Sequence, residues 1–140
     1  MIYELTSTLE VQRIIDLGRD VVKAPIEILR KKIINAITHQ DSKVFIYRNK
    51  DAEIKGFIFG TMEEMDGEDC VFIQMCVVDP KHIDRQAERL LTLELVAKIN
   101  EWAKERGIKT MYFLTHRNPA AFERKFKFKL DYFLMKRSVQ

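Results

Sequence analysis

The chain has 140 residues, 46% of them apolar and 32% charged, and its 24 Lys and Arg against 21 Asp and Glu give a formal net charge of +3. That balance describes one soluble globular domain with room for a real core. It excludes a membrane span, because no window approaches 18 uncharged apolar residues, and the Met1-Ile2-Tyr3-Glu4 start lacks the basic flank and apolar run of a secretion signal, so a cytoplasmic protein is expected.

Thr6 to Thr8 supply capping hydroxyls ahead of Leu9, Val11, Ile14, Ile15 and Leu17, whose spacing predicts a first helix ending at Gly18. Pro25 opens a second, in which Ile26, Ile28, Leu29, Ile33, Ile34 and Ile37 form a wide apolar face before the polar stop at His39, Gln40 and Asp41. Val44 to Tyr47 reads as a strand, Asn49 to Ala52 as a turn, and Glu53 to Met62 as a strand containing Gly56 and Gly60. Glu63 to Asp69 form an acidic tip with Asp66-Gly67 as its hairpin turn, and a solvated turn explains these charges better than a cationic substrate does.

The β-branched run Val71 to Val78 predicts a buried strand, stopped by Pro80 at a strand-to-helix junction. The long helix beyond it is capped by Asp84, or by Asp79 with Pro80 at its first position, and it ends at Gly107, a glycine following Lys104 and Arg106. Leu91, Leu95, Ile99, Trp102 and Ala103 share one of its faces. Lys109 to Thr115 reads as a strand, Asn118-Pro119 as the cap of a short helix over Ala120 to Phe126, and Phe128 to Lys136 as a closing strand that is compatible with a homodimer. No linker, repeat or low-complexity tract divides residues 1–140, so a single domain is expected.

Cys70 and Cys76 lie on one strand, roughly 20 Å apart if it is extended, and so cannot bridge each other. His39, His82 and His116 share no ligand spacing with them, and no metal is expected. Residues 101–140 carry ten Lys and Arg against four Asp and Glu, which leaves the first hundred at −3. The basic end is compatible with a polyanionic cofactor. A nucleic acid is disfavoured, because no recognised binding module is present and Phe122, Phe126 and Phe128 fit a packed helix and strand.

The order of these elements resembles the GCN5-related N-acetyltransferase family over nearly the whole chain. Three pieces carry the resemblance: Ile54-Lys55-Gly56-Phe57-Ile58-Phe59-Gly60, Val77-Val78-Asp79-Pro80, and Lys127 to Arg137. It implies an α+β fold whose mostly antiparallel, twisted sheet has six to seven strands flanked by about four helices. It also implies transfer of an acyl group, usually acetyl, from acyl-coenzyme A to an amine on a small molecule or a protein, by direct attack in a ternary complex. In such a protein the cofactor would meet Cys76, Val77, Val78, His82, Ile83, Arg85, Arg89, Asn118 and Phe122.

The family's phosphate loop has glycines that fall here on Asp84, Gln86 and Glu88. Side chains there narrow an amide cradle, and a carboxylate repels a phosphate. If an extra helical turn replaces the loop, the free amides shift to Pro80 through Ile83, with Lys81, His82, Arg85 and Arg89 as point charges. The short helix lacks the family's acidic tyrosine and has Phe122 instead, so the acid falls to Tyr132, Tyr112 or water. Gln74 stands where some members have a carboxylate, leaving His116 as the candidate base, although a surface histidine that caps a strand end fits that residue better. The alternative to an enzyme is a non-catalytic member of the fold, serving as a binding, scaffold or virion-type structural protein.

Overall fold

A computed structural model of the chain describes residues 1–22, 26–81, 84–113, 119–129, 135 and 137–139. The described residues form five strands, β1 (Ile2–Glu4), β2 (Ser42–Arg48), β3 (Ile54–Met65), β4 (Glu68–Val78) and β5 (Met111–Phe113), and four α-helices, α1 (Val11–Val22), α2 (Ile26–Thr38), α3 (Arg85–Glu105) and α4 (Pro119–Phe126). The sheet follows chain order, antiparallel from β1 to β4, with β5 added parallel to β4. Five strands replace the expected six to seven. The expected count included a closing strand over residues 128–136, of which 130–134 and 136 lie outside the described residues.

Two boundaries differ from expectation for physical reasons. Helix α1 runs through Gly18 to Val22. Gly18 is buried one turn beyond Ile14, so tertiary packing outweighs its weak helix propensity. The acidic tip is not a loop: β3 and β4 pair through Glu63↔Cys70 and Met65↔Glu68 up to a two-residue turn. Asp66 (φ 53°) and Gly67 (φ 82°) both adopt the left-handed conformation that a tight hairpin turn of this hand requires.

One layer of helix covers each face of the sheet. On one face Val11, Ile14 and Ile15 of α1 and Ile33 and Ala36 of α2 pack on Val44, Ile46, Phe57, Phe59 and Val77. On the other, Leu91, Leu95, Ile99, Trp102 and Ala103 of α3 pack on Ile58, Val71, Ile73 and Val78, as the helical spacing predicts. At its far end α3 closes with Gly107 at φ 73°, whose N–H donates to Lys104 O (3.1 Å), while Ile108 N–H donates to Ala103 O (2.9 Å). This paired arrangement satisfies the last carbonyls of the helix.

Helix α3 approaches β3 closely because β3 presents Gly56 and Gly60 to it. A Cβ on Gly60 would lie 3.0 Å from Ile99 Cδ1, and one on Gly56 would lie 3.1 Å from Val77 O. Gly60→Val is therefore expected to lower stability by about 1–3 kcal/mol through overpacking. Urea unfolding would read this as a shifted midpoint at unchanged slope.

Candidate functional site

The β3–β4 register shifts at one point: Phe59 faces Met75 while Gly60 faces Ile73, so Gln74 is an extra residue on β4. Such a bulge bends the strand and increases its twist. It also resets the alternation. Val71 and Ile73 face α3 before it, and Cys76 and Val78 face α3 after it, whereas Met75 and Val77 turn to the α1–α2 core.

The backbone follows the same shift. Val71 N–H donates outward to Thr110 O (3.0 Å), and Asp79 N–H donates to Lys55 O on β3 (2.8 Å). Alternation then directs the main-chain groups of Val77 to β3 and those of Cys76 and Val78 away from it, toward the β5 side. Among the described residues, β5 pairs only with Val71, Phe72 and Ile73. Residues 114–118, which follow β5, lie outside the described residues.

At the end of β4 the helix does not begin at Pro80. It begins at Arg85, with Asp84 as N-cap: its Oδ1 accepts from Ala87 N–H (2.8 Å), and its carbonyl accepts from Glu88 N–H (2.9 Å). Asp79 Oδ1 accepts from Lys81 N–H (3.0 Å), and its Oδ2 lies 3.8 Å from the Nζ of the buried Lys55. Two carboxylates therefore hold amides at the point where an anion would be received. The amides of Asp84, Arg85 and Gln86 at the start of α3 have no hydrogen bond among the described residues. Arg85 and Arg89 are one turn apart, exposed, and in no ion pair among the described residues, and the half-buried Glu88 stands between them.

A polar chain crosses the sheet beside the bulge. Gln74 Nε2 donates to Thr61 Oγ1 (2.9 Å), and Thr61 Oγ1 donates to Glu63 Oε1 (3.0 Å). The ring of Tyr112 stacks on Phe72 at 5.2 Å on the same face. A depression of about 420 Å³ lies away from this edge, between α1 and the β2–β3 turn, and is lined by Arg13, Asp16 and Asp51–Ile54. Its open, charged walls offer little apolar lining for a bound acyl chain.

Of the sequence-predicted site residues, Cys76, Val78, Arg85 and Arg89 lie at the β4–α3 junction or on its approach. Val77 is in the core and its main-chain groups face β3, so it adds nothing to the outer edge. His82, Ile83, His116, Asn118 and Tyr132 lie outside the described residues, and Phe122 lies on α4 with its side chain outside them. The bulge at Gln74 and the link through Thr61 are absent from the sequence reading. The signal for them is one amide residue inside an otherwise apolar run.

Neither cysteine is in a disulfide. Burial, reinforced by Glu63 and Asp69, pushes the Cys70 thiol above its usual value, and its Sγ donates to Glu63 O at 3.5 Å. Among the described residues, no His, Cys, Asp and Glu are grouped to hold a metal ion, and no helix is long and apolar enough to cross a membrane.

No protein-family model matches the sequence, and no curated protein matches it significantly. Solved structures do match along the full length. The chain is similar to an acetyltransferase of Trypanosoma brucei, with 16% identity, 99% of each chain covered and a TM-score of 0.76. It is similar to the aminoglycoside 6′-N-acetyltransferase of Acinetobacter haemolyticus, with 13% identity, 100% of this chain and 98% of that one covered and a TM-score of 0.79. It is also similar to the glucosamine-6-phosphate N-acetyltransferase of Arabidopsis thaliana, with 13% identity, 100% and 99% covered and a TM-score of 0.73. The fold is that of the GCN5-related N-acetyltransferases.

Two outcomes follow from this geometry. Asp84→Ala removes the cap and is expected to cost about 1 kcal/mol, whereas Asp84→Asn keeps it at little cost; thermal unfolding distinguishes the two. The raised Cys70 value means that the folded state binds this proton more tightly than the unfolded state. Its contribution to stability is complete below the ordinary thiol value of 9.0 and declines as pH rises beyond it. Native Cys70 should accordingly resist alkylation at pH 8 and become reactive in denaturant.

Proposed function

We propose that the protein is an N-acyltransferase that moves an acyl group, acetyl in the first instance, from an acyl-coenzyme A thioester to a primary amine. The observation that carries this reading is the bulge at Gln74 on β4, beyond which the backbone of Val78 is turned away from β3 to the β5 side of the sheet. A pantetheine arm is an extended chain with two amides, the kind of ligand that joins a strand edge by main-chain hydrogen bonds. The full-length fold likeness supports the reading, since its neighbours include N-acetyltransferases and one was solved with a CoA bisubstrate analogue.

In this reading the main chain at Cys76 and Val78 aligns the arm. Lys81, Arg85 and Arg89, with His82 and Ile83, are proposed to meet the phosphates, and Asn118 and Phe122 to contact the arm. The amine nitrogen attacks the thioester carbonyl, the N–C bond forms as the C–S bond breaks, and the thiolate takes a proton. Gln74 cannot remove the ammonium proton because an amide is not a base at neutral pH, so His116 is proposed for that step and Tyr132 for protonating the thiolate. The acceptor is a small-molecule or protein amine in the cytoplasm.

The second reading, a non-catalytic binding or scaffold protein, is favoured by one observation: the Asp84 carboxylate already holds an amide at the helix start. Isothermal titration with acetyl-CoA separates the two. Sub-millimolar affinity, with CoA released on addition of an amine panel, is expected for the enzyme. No heat at millimolar ligand leaves the scaffold reading alone.

A further inference from the structure

We infer that the acceptor is a small aliphatic diamine. One nitrogen attacks the thioester beside Gln74, and the second, kept as an ammonium ion, is held by the Glu63 carboxylate against the stacked rings of Phe72 and Tyr112. This rests on the acyltransferase reading and names the acceptor class of that site. The place is the part of the sheet that the helical pair leaves off: toward the β3–β4 hairpin, the core under α1 and α2 ends at Val44, Phe59 and Met75. Beyond it the register sets Thr61 beside Phe72, Glu63 beside Cys70 and Tyr112 beside Phe72 on that same face. Thr61, Phe72, Gln74 and Tyr112 are half-buried there, and Glu63 is exposed.

Charge selects the ligand. Among the described residues, the charged side chains that β2 to β5 place on this part of the face are Glu63 and Glu68, and no Lys or Arg joins them. An ammonium group is the complement. Glu63 and Phe72 are diagonal neighbours across the β3–β4 ladder, close enough for one cation to meet both the carboxylate and the ring face. The Thr61 hydroxyl proton is committed to Glu63 at 3.0 Å, so a polyol finds few donors here, whereas an ammonium ion brings its own. Through that same hydroxyl, Gln74 Nε2 lies no more than about 6 Å from Glu63 Oε1, a span that a short aliphatic spacer covers. With its phosphates at the start of α3, a pantetheine arm laid along Cys76 and Val78 brings its thioester end back toward the bulge. The attacking nitrogen forms its N–C bond as the C–S bond breaks, and the thiolate takes its proton. The second nitrogen keeps all of its protons.

The test is titration of the ¹⁵N-labelled full-length protein, with CoA present, by 1,4-diaminobutane, 1-aminobutane and glucosamine, following the side-chain amide resonances of Gln74. The diamine should bind at least about fivefold tighter than the monoamine. Glu63→Gln keeps an acceptor for Thr61 and removes the charge, and it should bring the two amines within about twofold of each other. Glu64→Gln, on the opposite face of β3, should leave the preference intact. Equal binding of diamine and monoamine, glucosamine binding as tightly as the diamine, or equal effects of the two substitutions overturns the inference and leaves acyl transfer standing. Absence of acetyl-CoA binding at millimolar concentration removes the acyltransferase reading, and the acceptor assignment with it.

Discussion

The structure depends on the burial of β4 from both sides. A strand between two helical layers needs an apolar residue at every position, and Val71 to Val78 meets that need except at Gln74. Inserting one residue there lets the strand keep both cores filled while changing which side chains serve which core. Val71 and Ile73 reach α3 before the bulge, and Val78 reaches it afterwards. The same insertion reverses the direction of the main-chain groups, so a strand that donates to Thr110 from Val71 directs those of Val78 outward as well. Without the bulge, Val78 would turn its backbone toward β3 and its side chain away from α3.

Much of this fold is legible in the sequence because burial has a period. The apolar face of α3, its glycine end and the Asp66-Gly67 turn each follow from local rules that the tertiary structure also obeys. The bulge has no such signature. Where both faces are buried the period-two pattern vanishes, so a one-residue shift leaves no trace except the polarity of Gln74. The start of α3 is legible only as a choice between Asp79 and Asp84. The structure assigns both carboxylates to capping, one to the loop amide of Lys81 and one to the first turn of the helix. Gly18 reads as a stop because its propensity is poor, yet packing against the core carries the helix past it.

Sharing a fold does not by itself fix what the start of a helix binds. The same peptide dipoles at a helix start can stabilise an internal carboxylate or an external phosphate, and a given amide proton serves one of them at a time. An aspartate cap gives a defined helix start without any ligand. A glycine loop leaves that start open until a ligand closes it.

The polar chain beside the bulge has a fixed direction that follows from proton counting. Glu63 as a carboxylate can only accept, so the single hydroxyl proton of Thr61 goes to it at 3.0 Å. Thr61 Oγ1 must then accept from Gln74, which places the Gln74 amide nitrogen at 2.9 Å and turns its carbonyl oxygen away. A side chain that would otherwise sample two amide orientations is held in one by a carboxylate two links distant. The bulge residue is therefore left with its carbonyl oxygen as an acceptor and its second Nε2–H as a donor for whatever approaches that part of the sheet.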